Sequence, residues 1–288
     1  MFRSLGCIWL LATAIAQTKP AETKPSEPAL AVVQPTLHEA EDGPPVPAGY
    51  RFVPGQIVYF SFLVSGYKKT GVYPDWKIDV AYEVDVRDSQ GALLAPPDVN
   101  SVGTSVSEED KQWLPKVRYE FAIPPLAESG VYKILLKVWD RFGKTETQAE
   151  QSFRIEGHKV EPSDTLVIRN FRFLRSEEDK NPLTIAAYRP GDAIWARFDM
   201  TGYKFGDGNS FDVEYGITIT DAAGAVKYSQ PHAAEEKTHS FYPQRYTPGV
   251  VNLNIPSDMK KASYTLIVTA TDRLGGQTAE TKQNFSVE

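Results

Sequence analysis

Hydrophobic and polar positions alternate one by one in several segments of this chain. The clearest segment is Ile78–Val86, in which every second residue is apolar, and residues 211–219 repeat the same phase. Shorter alternating runs begin at Ile57 and Ala193. Because side chains of a strand point alternately to its two faces, this period indicates strands buried on one face. No segment after residue 16 shows a convincing helical stripe, so the pattern predicts an all-β fold.

The alternating segments belong to a long internal repeat. The phrase PGQIVYFSFLVSGYK (Pro54–Lys68) returns as PGDAIWARFDMTGYK (Pro190–Lys204), with six of fifteen positions identical. Trp76–Gly91 matches Asn209–Gly224, and the match continues to the end of each copy, where QSFRIE corresponds to QNFSVE. Each copy has about 120 residues, an ordinary size for one domain. The repeat therefore predicts two similar domains.

Turn residues divide each copy into about seven short strands, the number expected of an immunoglobulin-like sandwich. DSQG and DAAG are Asp-x-x-Gly turns, and DRFGK and DRLGG repeat this form before the last strand. Tyr132 and Tyr264 begin the preceding strand, a position typical of a tyrosine corner, in which the hydroxyl bonds upstream backbone. The sequence thus predicts two tandem immunoglobulin-like β-sandwiches. Cys7 is the single cysteine, so packing alone must hold the sheets together.

The first residues have the features of an export signal followed by a spacer. Arg3 precedes an apolar run, and Ala14–Ala16 offers an A-x-A cleavage pattern that predicts a mature start at Gln17. Residues 17–28 contain mainly Pro, Lys, Glu, Thr and Ser, which cannot bury a core, and indicate a flexible spacer. The expected limits are residues 1–16 for the signal peptide, 17–28 for the spacer, 29–156 for sandwich 1, 157–163 for a linker and 164–288 for sandwich 2.

Two other interpretations of the N-terminus stay open. The apolar run could remain as an uncleaved anchor, although it is too short to span a bilayer. Cys7 could carry a lipid, although Ser4 stands where a lipobox prefers leucine. Cleavage would leave no transmembrane segment and would place the protein in the periplasm or outside the cell.

Several phrases resemble a known class of domain. YRPGDAIWARF, DAAG, an Ile-Pro step and SYTLIVTATDRLG are similar to secreted bacterial immunoglobulin-like domains. Within that group they look most like the macroglobulin-type sandwich, whose strands begin with a Tyr-x-Pro-Gly phrase. The resemblance covers both copies and implies a two-sheet fold and a bacterial envelope setting. It does not imply inhibitor activity, because the macroglobulin thioester cysteine and bait region are absent from this sequence.

The net charge and the absence of catalytic motifs disfavour several classes of function. The formal net charge of −6 disfavours surfaces that neutralise phosphates, so neither nucleic acid nor an anionic membrane is an expected partner. Phosphate-binding loops, nucleophile elbows and His-Glu-x-x-His motifs do not occur. We therefore expect no cofactor and no enzymatic activity. The favoured function is an exported non-catalytic module that binds a protein or glycan of the cell envelope, or has a structural role there; the alternative is a carbohydrate-binding accessory module.

Aromatic residues at expected surface positions are the candidate ligand-binding residues. Flat apolar rings with a polar edge suit both sugars and protein partners. The alternative is that they cap the ends of the sandwiches or fill the interface between copies. The candidates are Tyr59, Tyr67, Tyr73, Trp76, Trp113, Trp139 and Trp195, of which Tyr67, Tyr73, Trp76 and Trp113 are the candidates for carbohydrate.

Polar groups offer weaker candidates for metal binding. Asp207, Asn209 and Asp212 lie around two glycines and could coordinate calcium, although a plain turn is favoured. His232 and His239 flank two glutamates and could hold a divalent metal, but their spacing fits no metal motif. We interpret that segment as a charged surface loop and expect no metal site.

Outward carboxylates are the last candidates. Asp79, Glu83 and Asp85 share one face of a strand, and Asp212 and Glu214 lie in the matching strand of the second copy. Paired carboxylates perform acid–base hydrolysis when a cleft raises the pKa of one of them. On an open sheet face they would remain ionised and hydrated, so a solvated face is favoured.

Overall fold

The computed structural model describes residues 28–72, 74–110 and 112–288, which are almost entirely β-structure. Two single 3₁₀ turns, Glu108–Asp110 and Asp207–Asn209, interrupt the strands. Across these ranges, no helix is long and apolar enough to cross a bilayer. The all-β prediction is confirmed. The signal sequence, Cys7, most of the spacer and Tyr73 lie outside the described residues.

Sandwich 1 packs a three-stranded sheet against a larger one. The small sheet has the order β1-β3-β7, and the large sheet has the order β2-β9-β8-β5, with β4 and β6 both pairing with β5. All pairs are antiparallel except β2 with β9. The strands are β1 (Ala31–His38), β2 (Arg51–Phe52), β3 (Ile57–Ser65), β4 (Thr70–Val72), β5 (Asp75–Arg87), β6 (Asp98–Val106), β7 (Lys116–Ala122), β8 (Gly130–Asp140) and β9 (Thr145–Ile155).

Sandwich 2 repeats this topology. Its sheets have the orders β10-β12-β15 and β11-β17-β16-β13-β14. In the described residues each sandwich has seven strands of seven residues or more, in agreement with the sequence. The strands are β10 (Val167–Leu174), β11 (Ala187–Tyr188), β12 (Ala193–Thr201), β13 (Phe211–Asp221), β14 (Val226–Thr238), β15 (Tyr246–Asn254), β16 (Ala262–Asp272) and β17 (Gln277–Val287).

The cores lie between the sheets and consist of the alternating apolar positions. In β3, β5, β12 and β13, every apolar residue predicted to face inward is at most 7% exposed. One edge-to-face contact joins the sheets at the same place in both copies. The ring centroids are 5.9 Å apart for Phe62 and Tyr82, and 5.0 Å apart for Phe198 and Tyr215. The repeated sequence therefore builds the same core twice.

The repeated Gly-Tyr-Lys sequence is explained partly by its glycines. Gly66 and Gly202 have φ angles of 72° and 79°, which L-residues with a side chain rarely adopt. A Cβ atom would also overlap the carbonyl oxygen of Ala29 or of Thr165. Glycine is thus required where each first strand enters its sandwich.

The lysine of that sequence joins the two sheets through its backbone. The Lys68 N–H donates to Asp140 Oδ2 at 2.7 Å, and the Lys204 N–H donates to Asp272 Oδ2 at 2.9 Å. Asp140 and Asp272 are 2% and 0% exposed. Asp140 also accepts one backbone N–H of its own turn, and Asp272 accepts two. This contact explains why Gly-Tyr-Lys and the Asp-Arg turn repeat together: each supplies half of a buried hydrogen bond.

The first strand of each sandwich contains an equivalent bulge. Gln34 in β1 and Asn170 in β10 both have a φ of 51°, and both interrupt the pairing with the next strand. Asn170 itself stays exposed, and its Nδ2 donates to Asp199 Oδ2 at 2.7 Å. Each bulge inserts one residue, so the inward and outward positions exchange within β1 and β10, and a search for uninterrupted alternation does not predict such a strand.

The segment between β9 and β10, residues 156–166, is held on both sides. Ser129 Oγ donates to the Gly157 carbonyl at 2.5 Å, which fixes the connection to sandwich 1. His158 Nε2 lies 2.7 Å from Asp199 Oδ2, which fixes it to sandwich 2. His158 is exposed and also contacts the buried Asp199 carboxylate.

Candidate binding surfaces

Each sandwich has two different ends. The Asp-turn end contains the Asp-x-x-Gly turn, Asp88–Gly91 in sandwich 1 and Asp221–Gly224 in sandwich 2. The loop end contains the segment before β7 or β15. In sandwich 1 we call this segment the Trp113 loop (residues 107–110 and 112–115), and in sandwich 2 the Tyr242 loop (residues 239–245).

The Asp-turn ends share one frame, and its two predicted features are confirmed. Asp88 Oδ1 accepts two backbone N–H groups of its turn at 2.9 Å, and Asp221 Oδ1 does the same at 3.0 and 2.9 Å. The tyrosine corners are present as well. Tyr132 Oη donates to the Glu128 carbonyl at 2.9 Å, and Tyr264 Oη donates to the Lys260 carbonyl at 2.7 Å.

The Asp-turn end of sandwich 1 is filled by the Tyr242 loop of sandwich 2. Tyr242 packs into the core of sandwich 1, and its Oη donates to Asp88 Oδ2 at 3.0 Å. Arg245 Nη2 lies 2.6 Å from the same oxygen, and Arg245 Nη1 donates to Tyr242 Oη at 2.9 Å. These contacts satisfy a buried carboxylate with one cation and one hydroxyl, and they fix one sandwich on the other.

The environment of this contact keeps Arg245 charged and Tyr242 protonated. Burial alone would lower the pKa of Arg245, but Tyr242 and the Asp88 carboxylate raise it above its usual value. Burial raises the pKa of Tyr242, so its hydroxyl keeps the proton that it donates. Burial also raises the pKa of Glu128, a second acidic group at this end. Sandwich 1 therefore presents an acidic end to a basic loop.

The Asp-turn end of sandwich 2 contains a cavity of about 320 Å³ instead. Ile194, Ile219, Leu253, Met259 and Tyr264 supply its apolar walls, and they come from both sheets. A cavity of this size and composition has the character of a ligand-binding pocket. It lies at the place that corresponds to the contact with Tyr242 in sandwich 1.

One position accounts for much of the difference between the two ends. Leu94 follows the Asp turn of sandwich 1 and is 5% exposed within the core. The equivalent residue of sandwich 2 is Lys227, whose Nζ turns away to Asp221 Oδ2 at 2.8 Å. An ammonium group is too costly to bury in an apolar core. The core of sandwich 2 is therefore left open where Leu94 closes that of sandwich 1.

A second cavity, of about 280 Å³, lies on the small sheet of sandwich 1 beside Tyr59 and Tyr119. His38 Nδ1 is 2.7 Å from the Gly43 carbonyl, which can only accept, so Nδ1 carries the proton. His38 Nε2 then accepts from Ser61 Oγ at 2.9 Å. His38 therefore connects the segment after β1 with β3.

The equivalent position in sandwich 2 indicates a structural role for this pair. There Arg197 replaces Ser61, and its Nη2 donates to the Glu177 carbonyl at 2.6 Å. Both copies thus use this position of the third strand to hold the segment that follows the first strand. Sequence reasoning could not find the pair, because Ser61 and His38 come from different segments and share no motif.

Two of the aromatic candidates are brought together at the loop end of sandwich 1. Tyr67 Oη donates to the Trp113 carbonyl at 2.8 Å, and the equivalent Tyr203 donates to the Gln244 carbonyl. Tyr67 therefore holds the Trp113 loop in place. Trp113 is 39% exposed.

The other aromatic candidates lie apart from one another. Trp76 is half-buried at the start of β5, and Tyr59 lines the second cavity. Trp139 lies on the outer face of β8, where its Nε1 donates to Glu146 Oε2 at 3.2 Å. Trp195 is half-buried on the outer face of β12.

The metal candidates make contacts with protein groups. The Asn209 amide donates to the Phe241 carbonyl at 2.7 Å, and Asp212 Oδ2 lies 3.2 Å from Lys237 Nζ. Over the part of the chain that the structure describes, no three His, Cys, Asp or Glu side chains are placed to hold a metal. His232 also lies within β14, so the expectation of a charged loop there is wrong.

The expectation that the carboxylates of sandwich 2 lie on a solvated face is wrong as well. Asp212 and Glu214 are 6% and 9% exposed, because β14 and the Arg273 side chain cover them. Glu214 Oε2 lies 2.6 Å from Arg273 Nη2 and 2.8 Å from His232 Nδ1. In sandwich 1, Asp85 is also buried, beside Arg87 Nη2 at 2.6 Å.

The pKa of Glu214 moves in the direction opposite to that of a general acid. Burial raises this pKa, but hydrogen bonds from His232 and Arg273 outweigh burial and lower it overall. Glu214 is therefore held as a carboxylate, whereas an acid catalyst needs a raised pKa. The network serves to join β13, β14 and the turn after β16.

Comparison with known proteins shows little similarity. No family model matches the chain, and no curated protein sequence is similar to it. A family 123 glycoside hydrolase from Clostridium perfringens has a TM-score of 0.30 at 13% identity, over 43% of this chain. The chain spans only 27% of that hydrolase.

Two structures of the C-terminal domain of the Streptococcus agalactiae AgI/II polypeptide BspA are also similar. The TM-score is 0.28 for both, at 11% and 10% identity, over 88% of this chain and 100% or 99% of theirs.

Proposed function

We propose that this chain is a non-catalytic binding module, in which the Asp-turn end of sandwich 2 receives an aromatic side chain from a polypeptide partner. The main support for the proposal is a contact between the two sandwiches of the same molecule. The same end of sandwich 1 receives Tyr242 and buries it. Two copies of one frame, one filled by a tyrosine and one with an apolar cavity, support a polypeptide as the occupant of the second.

Export is part of this proposal and is supported by the N-terminal sequence. The apolar run and Ala14–Ala16 indicate cleavage before Gln17. N-terminal sequencing of the protein purified from its native host tests this step. A chain that begins at Gln17 and is found in the periplasm or medium is expected, and a chain that keeps residues 1–16 in the cytoplasm would refute it. The likeness to macroglobulin-type sandwiches agrees with an exported setting and supplies no partner.

A carbohydrate-binding role is the second candidate. The exposure of Trp113 at the loop end favours it, since an exposed indole is able to stack on a sugar ring. A glycan array compares the purified protein with Trp113→Ala and Trp76→Ala. Glycan binding that either substitution removes would support this role, and no binding by the unsubstituted protein would exclude it.

The proposed polypeptide binding is tested by closing the cavity. Lys227→Leu removes a cation that lines the cavity and adds apolar volume to it, and the variant is expected to stay folded. The immobilised protein and this variant are each used to enrich partners from an envelope extract of cells that lack the chain. The proposal expects a partner that the unsubstituted protein retains and Lys227→Leu loses.

The matched control is Lys282→Leu, which makes the same change at an exposed lysine on β17. This variant should retain the partner. A partner retained equally by all three proteins would show that binding does not use the cavity.

A further inference from the structure

We propose that the cavity of sandwich 2 receives the Trp113 loop of a second copy of this chain, so that molecules join head to tail. This inference rests on the proposed function of the cavity and names its occupant. The Trp113 loop and the cavity lie at the two outer ends of the tandem pair. At the contact between the two sandwiches, the Tyr242 loop corresponds to the Trp113 loop, and the end of sandwich 1 that receives Tyr242 corresponds to the cavity.

The Trp113 loop occupies the same place in sandwich 1 that the Tyr242 loop occupies in sandwich 2. Tyr67 holds one loop and the equivalent Tyr203 holds the other, each through a backbone carbonyl. Inside the molecule, the loop end of sandwich 2 meets the Asp-turn end of sandwich 1. A second molecule repeats this arrangement when the loop end of its sandwich 1 meets the Asp-turn end of sandwich 2.

The aromatic groups suit this contact. Within the molecule Tyr242 is the ring that enters the neighbouring core. At the outer loop end the ring is Trp113, which is 39% exposed and so has apolar surface still to bury. Burial of an aromatic side chain removes ~150–250 Å² from water, and such residues dominate the energetics of interfaces. The walls of the cavity are apolar as well, so they suit an indole ring.

The charges at the outer ends are the reverse of those at the inner contact. At the inner contact the acidic groups Asp88 and Glu128 face Arg245. The position of Glu128 is taken in sandwich 2 by Lys260, which lines the cavity with Lys227. The Asp-turn end has therefore changed from an acidic to a more basic character.

The Trp113 loop carries the complementary change. It presents Glu109 and Asp110, where the Tyr242 loop presents Arg245. Asp221 and Asp258 also lie at the cavity, but Lys227, Lys260 and the adjacent exposed Lys261 outnumber them. An acidic loop against a basic end favours contact with a second copy, and electrostatic complementarity of this kind selects the partner and its orientation.

The two surfaces are different and lie at opposite ends, so the contact is heterologous. A heterologous contact that does not close into a ring extends into a chain of molecules. Sedimentation velocity of the purified protein should therefore show species that grow beyond a dimer as the concentration rises. Higher salt should reduce their amount, because salt screens the exposed charges.

Two variants separate the two halves of the contact. Trp113→Ala removes the ring and keeps the cavity, whereas Lys227→Leu keeps the ring and fills the cavity. Each variant alone should lose self-association by about tenfold or more, the equivalent of ~1.4 kcal/mol. An equimolar mixture should form a 1:1 dimer and nothing larger, because one intact contact remains. Phe241→Ala, at an exposed ring of the inner loop, is the matched control and should self-associate normally.

Three results would overturn the head-to-tail contact. They are a monomer up to about 1 mM, where a contact amounts to only ~4 kcal/mol, undiminished self-association of Trp113→Ala, or a mixture without a dimer. A melting curve for each variant confirms that it is folded. If the protein stays monomeric while an envelope partner depends on the cavity, this inference fails and the proposed function survives. If Lys227→Leu alters neither binding nor self-association, the proposed function fails.

Discussion

The two Asp-turn ends have the same frame, but only the end of sandwich 1 is occupied by a side chain of the other sandwich, Tyr242. Both have an aspartate that bonds its own turn and a tyrosine corner that bonds backbone four residues upstream. In sandwich 1 the apolar centre is closed by Leu94 and covered by Tyr242, whereas in sandwich 2 it is a cavity beside Lys227. The repeat thus preserves the residues that build the frame and changes the few that decide what binds to it.

Removing the buried aspartate that joins the two sheets in each copy should have the greatest effect. Asp272→Ala removes a fully buried acceptor of three backbone N–H groups, those of Lys204, Leu274 and Gly275. We expect a loss of about 4 kcal/mol in the free energy of unfolding, because each buried donor left without an acceptor is costly. Urea denaturation measures the loss. The equivalent Asp140→Ala should cost a similar amount, and exposed Asp164→Ala should cost less than about 0.5 kcal/mol.

The second effect concerns the filled end. Arg245→Met leaves the buried Asp88 carboxylate with Tyr242 but without its cation, a change that costs about 3 kcal/mol in comparable buried pairs. Because this pair joins the sandwiches, we expect them to unfold in two calorimetric transitions instead of one. Arg175→Met, at an exposed arginine, is the control. One unchanged transition in Arg245→Met would show that the contact does not couple the sandwiches.

The third effect contrasts the covered sheet face of sandwich 2 with an exposed carboxylate. The pKa of Glu214 is lowered on folding from an ordinary value of 4.5 by His232 and Arg273, against the opposing effect of burial. The unfolded chain therefore binds this proton more readily, so ionised Glu214 adds stability above pH 4.5 that is lost as the pH falls through the lowered pKa.

Glu214→Gln checks this pH dependence. The variant should be less stable than the unsubstituted protein by about 1 kcal/mol at neutral pH, since it loses two charge-assisted hydrogen bonds. The difference should shrink as the pH falls below 4.5. Urea denaturation as a function of pH measures it, with exposed Glu178→Gln as the control. A difference that does not change with pH would contradict the assigned network.

The smallest effect makes the open end resemble the filled one. Lys227→Leu exchanges an exposed ion pair, which contributes little, for apolar burial in the cavity. We expect the free energy of unfolding to rise by about 1 kcal/mol. Chemical denaturation measures the rise, and a loss of stability would show that the two ends are not equivalent at this position.

Much of the fold could be predicted from the sequence, because its signals are local. Alternation placed the inward residues of β5 and β13 correctly, and Asp-x-x-Gly placed the turns. The position of Tyr132 before the last hairpin predicted its corner. Each of these signals needs only neighbouring residues, so one sequence contains all the information required.

The binding surfaces could not be predicted in the same way. Tyr242 meets Asp88 across 154 positions, and nothing in either segment indicates the other. Lys227 and Leu94 differ in kind, but the difference has meaning only when both are known to follow equivalent turns at the end of a core. The burial of Glu214 depends likewise on a distant arginine and on the length of β14. Long-range contacts, more than local patterns, decide these features.

The proposed occupancy of the open end is tested most directly by methyl NMR at methionine. The chain has three methionines, of which Met259 lines the cavity and Met200 is buried in the core of the same sandwich. Methyl-labelled Trp113→Ala protein, which keeps the cavity, is titrated with unlabelled Lys227→Leu protein, which keeps the Trp113 loop. We expect the Met259 methyl resonance to shift through the ring current of the entering indole, while the Met200 resonance stays in place. A Met259 resonance that does not move throughout the titration would contradict the proposed contact.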